Sequence, residues 1–446
     1  MKKRKALLAM ALAMALSLTA CWGGGDKKSS NQGTSGQTPA SGVKAEISVQ
    51  AEEAWVPYYE AAIQRVKEKN PDATITIRKI GAFEHLDTID NTDATNKDVA
   101  DVMALPADRL YGMAQNQILA DLDSEAMAKT IGGWDDFNKG LGGNFKVDGK
   151  YLAFPMNIET LITYANVTNA EKQGIKLDQP LELNDIKAPE EILIPIHDCW
   201  YGVAAANAGG LELLNKEKDG KLVTDMVKDF AALNEDQKAV ITGLYNYWAK
   251  HNEKKTPLFD KKNAMAWIDE QTKTGNGGVL RLGGPWEQAP IKEKVGDGKL
   301  ALYPIGQITI AGKPFQHWQG GWGLGINSRI EGDKDKMALA VALIEEIVNP
   351  KFAESFYQTT GKILENVSKD DYMKMDKLSE DDKAIIAATI DGYQKAVSRP
   401  LFKEYGQVWD TWQNGMLSWN AEQPQNAEAA YKLLQDSFKA MMANFK

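Results

Sequence analysis

The sequence is poor in the residues that build metal centres and covalent staples. It holds two cysteines, Cys21 and Cys199, and four histidines, His85, His197, His251 and His317. With Cys21 modified as argued below, Cys199 has no partner, which excludes an intramolecular disulfide and a cysteine-based metal cluster. The histidines are scattered without ligand spacing, and H-E-x-x-H, G-x-S-x-G and G-x-x-x-x-G-K-[ST] are all missing. Asp90, Asp93 and Asp98 lie close together but lack the glycine and closing glutamate of a calcium loop, so they read as a solvated loop. No metal and no cofactor is expected. Positive charge is also in short supply. The formal net charge is -9, and loss of Lys2, Lys3, Arg4 and Lys5 takes it to about -13, which argues against a nucleic-acid partner.

Long apolar runs are missing too, except at the start. Four cations precede an apolar or small-residue run from Ala6 to Ala20, the pattern of a signal peptide. The run is shorter than the roughly 18 to 20 residues that span a bilayer, and it ends in Leu18-Thr19-Ala20-Cys21. This matches the bacterial lipobox, which implies cleavage before Cys21 and acylation of its thiol. Residues 22 to 43 are rich in Gly, Ser, Asn and Gln and read as a flexible tether. The expected organisation is therefore a signal peptide over 1–20, a lipidated cysteine with its tether over 21–44, and a soluble body behind it.

That body, roughly 400 residues long, has room for two lobes. Ile47, Val49 and Ala51 alternate as a strand; Pro57 opens a helix with Tyr59, Ala62, Ile63 and Val66 at helical spacing; Asn70-Pro71 stops it. Further strands are expected through Ile75–Ile80 and Val99–Leu105, giving an α/β fold with mainly parallel sheets flanked by helices. A Gly-bent extended segment runs through Gly320–Asn327 and a helix follows from about Asp335 to Val348. Twelve tryptophans are a high number for 446 residues, and eleven lie beyond Trp22, so stacking on a ligand becomes a question to test.

Several stretches together carry a family resemblance: Leu105-Pro106-Ala107-Asp108-Arg109, then Asp148–Glu159, Gly284-Pro285-Trp286, Gly325-Ile326-Asn327 and Trp409. In order and spacing the chain resembles the maltose/maltodextrin-binding proteins from about residue 45 onward. The resemblance implies a two-lobed clamp of the type II periplasmic-binding class with ligand in the cleft between lobes. It implies one lobe from 45–157 and 325–363, the other from 158–324 and 364–446, with crossings near Asn157, Leu324 and Ile363. It also implies capture of an oligosaccharide for an ABC importer whose permease subunits are the protein partners, with the membrane reached through the lipid on Cys21. A monomer is expected, on the extracellular face of the cell membrane of a Gram-positive bacterium, with no catalysis.

A sugar offers hydroxyls around its rim and C–H faces above and below, so its site needs polar side chains and aromatic rings. The resemblance places the sugar-binding Asp-Arg pair on Asp108 and Arg109, a hydroxyl-binding glutamate on Glu159, and stacking rings on Trp286 and Trp409. The chain departs from the family at Leu105 (a ring elsewhere), Ala54 (a cation elsewhere), Gln413 (an arginine elsewhere) and His197-Asp198-Cys199-Trp200 (a Glu-Pro-Tyr stretch elsewhere). Glu53 is expected to keep an acidic role, Trp200 or Tyr201 to supply the lost ring, His197 or Asp198 to supply the lost polar contact, Gln413 to bind ligand in place of the arginine, and Trp322 to touch ligand or wedge the hinge. Two rival readings remain from residues alone. One is a glycoside hydrolase using a carboxylate pair drawn from Asp135, Asp136, Glu159 and Asp198; the other is the same clamp with a different oligosaccharide.

Overall fold

The computed structural model describes residues 41–445 apart from residue 92. The signal peptide and Cys21 lie outside the described residues, as does nearly all of the tether. Among the described residues no helix is long and apolar enough to cross a membrane.

The alternating segment at the start forms the strand Glu46–Ala51, and the helix Val56–Lys69 follows, with proline in its first turn where a missing N–H costs nothing. Glu46–Ala51 pairs in parallel with Thr74–Lys79 over six residues and with Val102–Pro106 on its other side. The sheet then continues through Trp318–Ile326, Phe154–Glu159 and Ile363–Leu364, and these three pairings are antiparallel. A second sheet runs in the order Leu300–Pro304, Ile162–Asn166, Leu280–Gly283, Ile192–Leu193, with two antiparallel pairings and one parallel. The fold is α/β, but both sheets are mixed rather than mainly parallel. Strands that cross between the lobes account for much of this: Trp318–Ile326 runs against Val102–Pro106, and Ile162–Asn166 runs against both of its neighbours.

Two buried clusters define two lobes. One draws on Ile47 to Ile158 and on Trp322 to Ile390; the other draws on Leu161 to Trp318 and on Tyr405 to Met441. Ile363, Leu364, Tyr372, Leu378 and Ile390 all belong to the first cluster, so the chain leaves that lobe after Ile390 and not near Ile363. The helix Glu380–Lys395 explains the difference. Ile386 and Ile390 face the first core, whereas Ile385 and Ala388 pack on Ile162 and Tyr164 beside the second sheet. Helical spacing reveals an apolar face but not which core will receive it.

The nine-residue strand Trp318–Ile326 joins the lobes, since Trp318 is buried in one core and Trp322 to Ile326 in the other. Its glycines allow close passage. A Cβ on Gly323 would stand 2.7 Å from Cζ of the fully buried Phe145, and one on Gly325 would stand 2.7 Å from Leu119 and 2.9 Å from Leu105. A register shift between Trp322 and Gly323 re-aims the indole at this point. Substitution Gly323→Ala should therefore destabilise the protein by about 1–3 kcal/mol through overpacking. Gly332→Ala, where nothing lies within 4 Å, should leave the urea midpoint unchanged and serves as the control.

Candidate functional site

A cavity of about 800 Å³ opens between the two lobes, within the roughly 300–1,000 Å³ usual for small-ligand sites. Its first-lobe wall is built at strand ends, where the short 3-10 turn Ala107–Arg109 carries Asp108 and Arg109 off the end of Val102–Pro106 and Glu52 follows on Glu46–Ala51. These are carboxyl ends of parallel strands, the edge of an open α/β sheet where ligands gather. The opposite wall is aromatic, made of Trp200, Trp286 and Trp409.

Of the residues singled out from sequence, the structure brings Asp108, Arg109, Glu159, Trp200, Trp286, Trp322 and Trp409 onto this cavity. Glu53 is not on it. Its side chain is 79% exposed and pairs with Lys79 at 3.1 Å, while Glu52 lines the cavity instead, because successive residues leaving a strand point to opposite sides. Gln413 is not on it either. The cavity meets the helix Gly406–Glu422 only through Gly406 and Trp409, and Gln413 stands one turn, about 5 Å, further along the axis. In the stretch that departs from the family, only Trp200 reaches the cavity. His197 is buried beside Phe259, Asp198 caps the helix Cys199–Ala208 by accepting from Trp200 N at 2.9 Å, and the Tyr201 hydroxyl turns toward Glu287 at 3.5 Å. Leu105 is fully buried.

Trp200 is the centre of the aromatic wall. Its ring stacks on Trp409 (6.3 Å between centroids, 25° between planes), inclines toward Trp286 (6.4 Å) and receives the edge of His317 at 4.3 Å. His317 Nε2 lies 2.8 Å from the Trp200 carbonyl, and burial holds this imidazole down to a pKa of about 3, so it stays neutral. His317 thus fixes Trp200 from behind without adding charge.

Sequence reasoning missed two cations packed on the rings of the cavity, Arg399 and Lys362, besides the exposed Lys403 at its edge, which donates to Gln115 Oε1 at 2.9 Å. Arg399 follows the short strand Val397–Ser398, which pairs with Trp318–Gln319, and its guanidinium lies 5.4 to 6.0 Å from the rings of Trp200, Trp318 and Trp409. From there it reaches across to the first lobe and binds Asp108 Oδ2 at 2.9 Å. Asp108 Oδ1 is buried and has no partner among the described residues, a cost of about 1–3 kcal/mol that a donor entering the cavity would relieve. Lys362 places its ammonium 5.2 Å from the Trp55 ring and 5.0 Å from the Trp322 ring, and burial draws its pKa down. Neither cation sits where the family resemblance expects one, at Ala54 or one turn beyond Trp409. No local signal marks them, since each is a single basic residue beside a short strand.

Glu159 closes the floor. It pairs in register with Gly320, so Trp322, two residues on, reaches it diagonally, and the indole N–H donates to both carboxylate oxygens at 3.2 Å. Burial pushes the Glu159 carboxyl above its ordinary pKa; Lys362 and Arg399 oppose the shift, and Asp108 adds to it. Arg109 is paired with Asp90 at 2.6 Å, both side chains about two-fifths exposed at the cavity rim. Among the described residues no group of His, Cys, Asp and Glu is arranged to hold a metal ion.

Comparison with known proteins places this architecture. Residues 61–381 match the family model described as bacterial extracellular solute-binding protein. The maltodextrin-binding protein MdxE of Bacillus subtilis (strain 168) is 26% identical over 422 residues, covering 92% of this chain and 90% of that protein. The fold is shared with the maltose-binding periplasmic protein MalE of Listeria monocytogenes, solved in complex with maltose (TM-score 0.67, 18% identity, 90% of this chain and 98% of that one). It is shared also with MalX of Streptococcus pneumoniae, solved in complex with maltopentaose (TM-score 0.64, 18% identity, 88% and 99%). A clamp of two α/β lobes around one cleft, matched by that family model over most of its length, makes the chain a member of the bacterial extracellular solute-binding protein family.

Proposed function

We propose that this protein is the substrate-binding subunit of an ABC importer and captures maltodextrin-type α-glucan oligosaccharides, with no covalent chemistry. The observation that carries the reading is the pairing, in one interlobe cavity, of a wall of three indoles with the unpartnered Asp108 Oδ1 and the buried Glu159 carboxylate. Indoles suit sugar faces; the two carboxylates accept from sugar hydroxyls; Arg109 donates at the rim. The names of MdxE, MalE and MalX support α-linked glucose as the ligand class. Closure follows from residues of both lobes contributing to the walls, so ligand favours the shut state by touching both. The shut form is what permease subunits would recognise.

Intrinsic tryptophan fluorescence titrated with maltose, maltotriose, longer dextrins, cyclodextrins and xylo-oligosaccharides should respond to the α-glucans, and the sugars should be recovered intact. Silence toward every α-glucan would overturn the ligand class, and release of glucose from maltotriose would overturn binding without catalysis.

Glu159 gives the site a pH dependence with a definite sign. Its raised pKa means that protonation begins at a higher pH than for an ordinary carboxylate, so the acceptor is lost as the medium acidifies. Affinity should fall on acidification, and Glu159→Gln should bind more weakly at pH 7 while losing most of that pH dependence. Calorimetric titration at a series of pH values reads both effects.

In this reading the chain is held on the outer face of the membrane of a Gram-positive bacterium by acyl groups on Cys21, which the tether separates from the clamp. Metabolic labelling with a palmitate analogue should mark the wild type and not Cys21→Ala, and the variant should appear in the medium or remain as the uncleaved precursor.

A further inference from the structure

Three rings of the first lobe line the cavity: Trp55, Phe83 and Trp322. Two are already engaged. Trp55 is 3% exposed, lies against Tyr59 with centroids 6.1 Å apart, and takes the Lys362 ammonium on its ring. Trp322 is 4% exposed, gives its N–H to Glu159 and shares the same ammonium. Phe83 is different. It is 59% exposed, although Ala82, Leu86 and Ile89 of its helix Ala82–Asp90 are buried. Its ring meets Trp322 at 5.3 Å with planes 81° apart, an edge-to-face contact and not a stack, and more than half of the side chain stays open. Only three large apolar side chains among the described residues are as exposed as this group, and two of them, Phe83 and Trp286, line the one cavity from opposite lobes.

We propose that Phe83 is the first lobe's sugar-stacking residue, opposing Trp286, and so helps decide which oligosaccharides the cleft holds. The inference rests on the oligosaccharide reading above. Uncovered apolar rings gain from burial under a weakly polar C–H face, and an aromatic face adds a shape preference that an aliphatic side chain does not offer. Phe83 stands on a helix start beside the strand end that carries Glu52, so the ring and that carboxylate border the same region of the cavity. It compensates for the ring missing at Leu105, which is sealed inside the core.

The test compares wild type with Phe83→Ala, Phe83→Leu and Phe83→Trp by calorimetric titration with whichever of maltose, maltotriose and maltopentaose the wild type binds best. Phe83→Ala and Phe83→Leu should weaken binding about tenfold, the scale of one partly covered ring, while Phe83→Trp stays within about twofold of wild type. All melting temperatures without sugar should agree, because the side chain is exposed. Unchanged affinity in Phe83→Ala overturns the proposal while leaving the ligand class intact. Equal binding by Phe83→Leu and wild type overturns it too, since an aliphatic contact would then suffice. Failure of the wild type to bind any of the three sugars removes both the ligand class and this residue's role.

Discussion

One strand has to serve two cores. Trp318–Ile326 is rooted at one end by a fully buried indole in the second lobe and at the other by Leu324 and Ile326 in the first. Everything at the floor of the cavity is placed by it. Gly320 pairs with Glu159, Trp322 turns its indole onto that carboxylate, and Trp318 supports Arg399 through its ring. Glycine at 321, 323 and 325 is what lets such a strand run between Leu141, Phe145 and Leu119 without displacing them. Backbone that must pass this close to packed rings leaves little latitude for side chains.

The charges in the cavity form a chain of mutual dependence. Arg399 is 5% exposed at its side chain, a position an unpaired cation could not hold cheaply; Asp108 and three indoles surround it. Lys362 is held in the same way by two rings with Glu159 nearby. Each carboxylate therefore neutralises a buried cation while lining the cavity. Asp108 binds Arg399 through Oδ2, while its Oδ1 is buried with no partner among the described residues.

Much of this architecture is legible in the sequence, but unevenly. The strand–helix start is written in Ile47, Val49, Ala51 and Pro57, and the Gly-rich crossing in residues 320–327, because local periodicity and glycine spacing act over a few residues. The antiparallel pairings and the first-lobe membership of Ile363 to Ile390 are not, because they depend on which distant core receives an apolar face. Site residues divide along the same line. Asp108, Glu159 and Trp286 stand in recognisable local motifs and line the cavity. Glu53 for Glu52 is an error of one residue, the distance over which a strand end reverses side-chain direction. Arg399, Lys362 and Phe83 come from segments with no motif at all and are identified only by what they face.

The contact between Arg399 and Asp108 ties a residue of one lobe to a residue of the other in a setting largely withdrawn from water. Dissolved ions screen charges at the surface over about 8–10 Å at physiological strength, but reach such a pair poorly. Added salt therefore weakens the contact itself very little, in dilute and in briny surroundings alike. For a member of an extracellular solute-binding family, whose medium can vary in salinity, that insulation is built from one guanidinium and the rings around it.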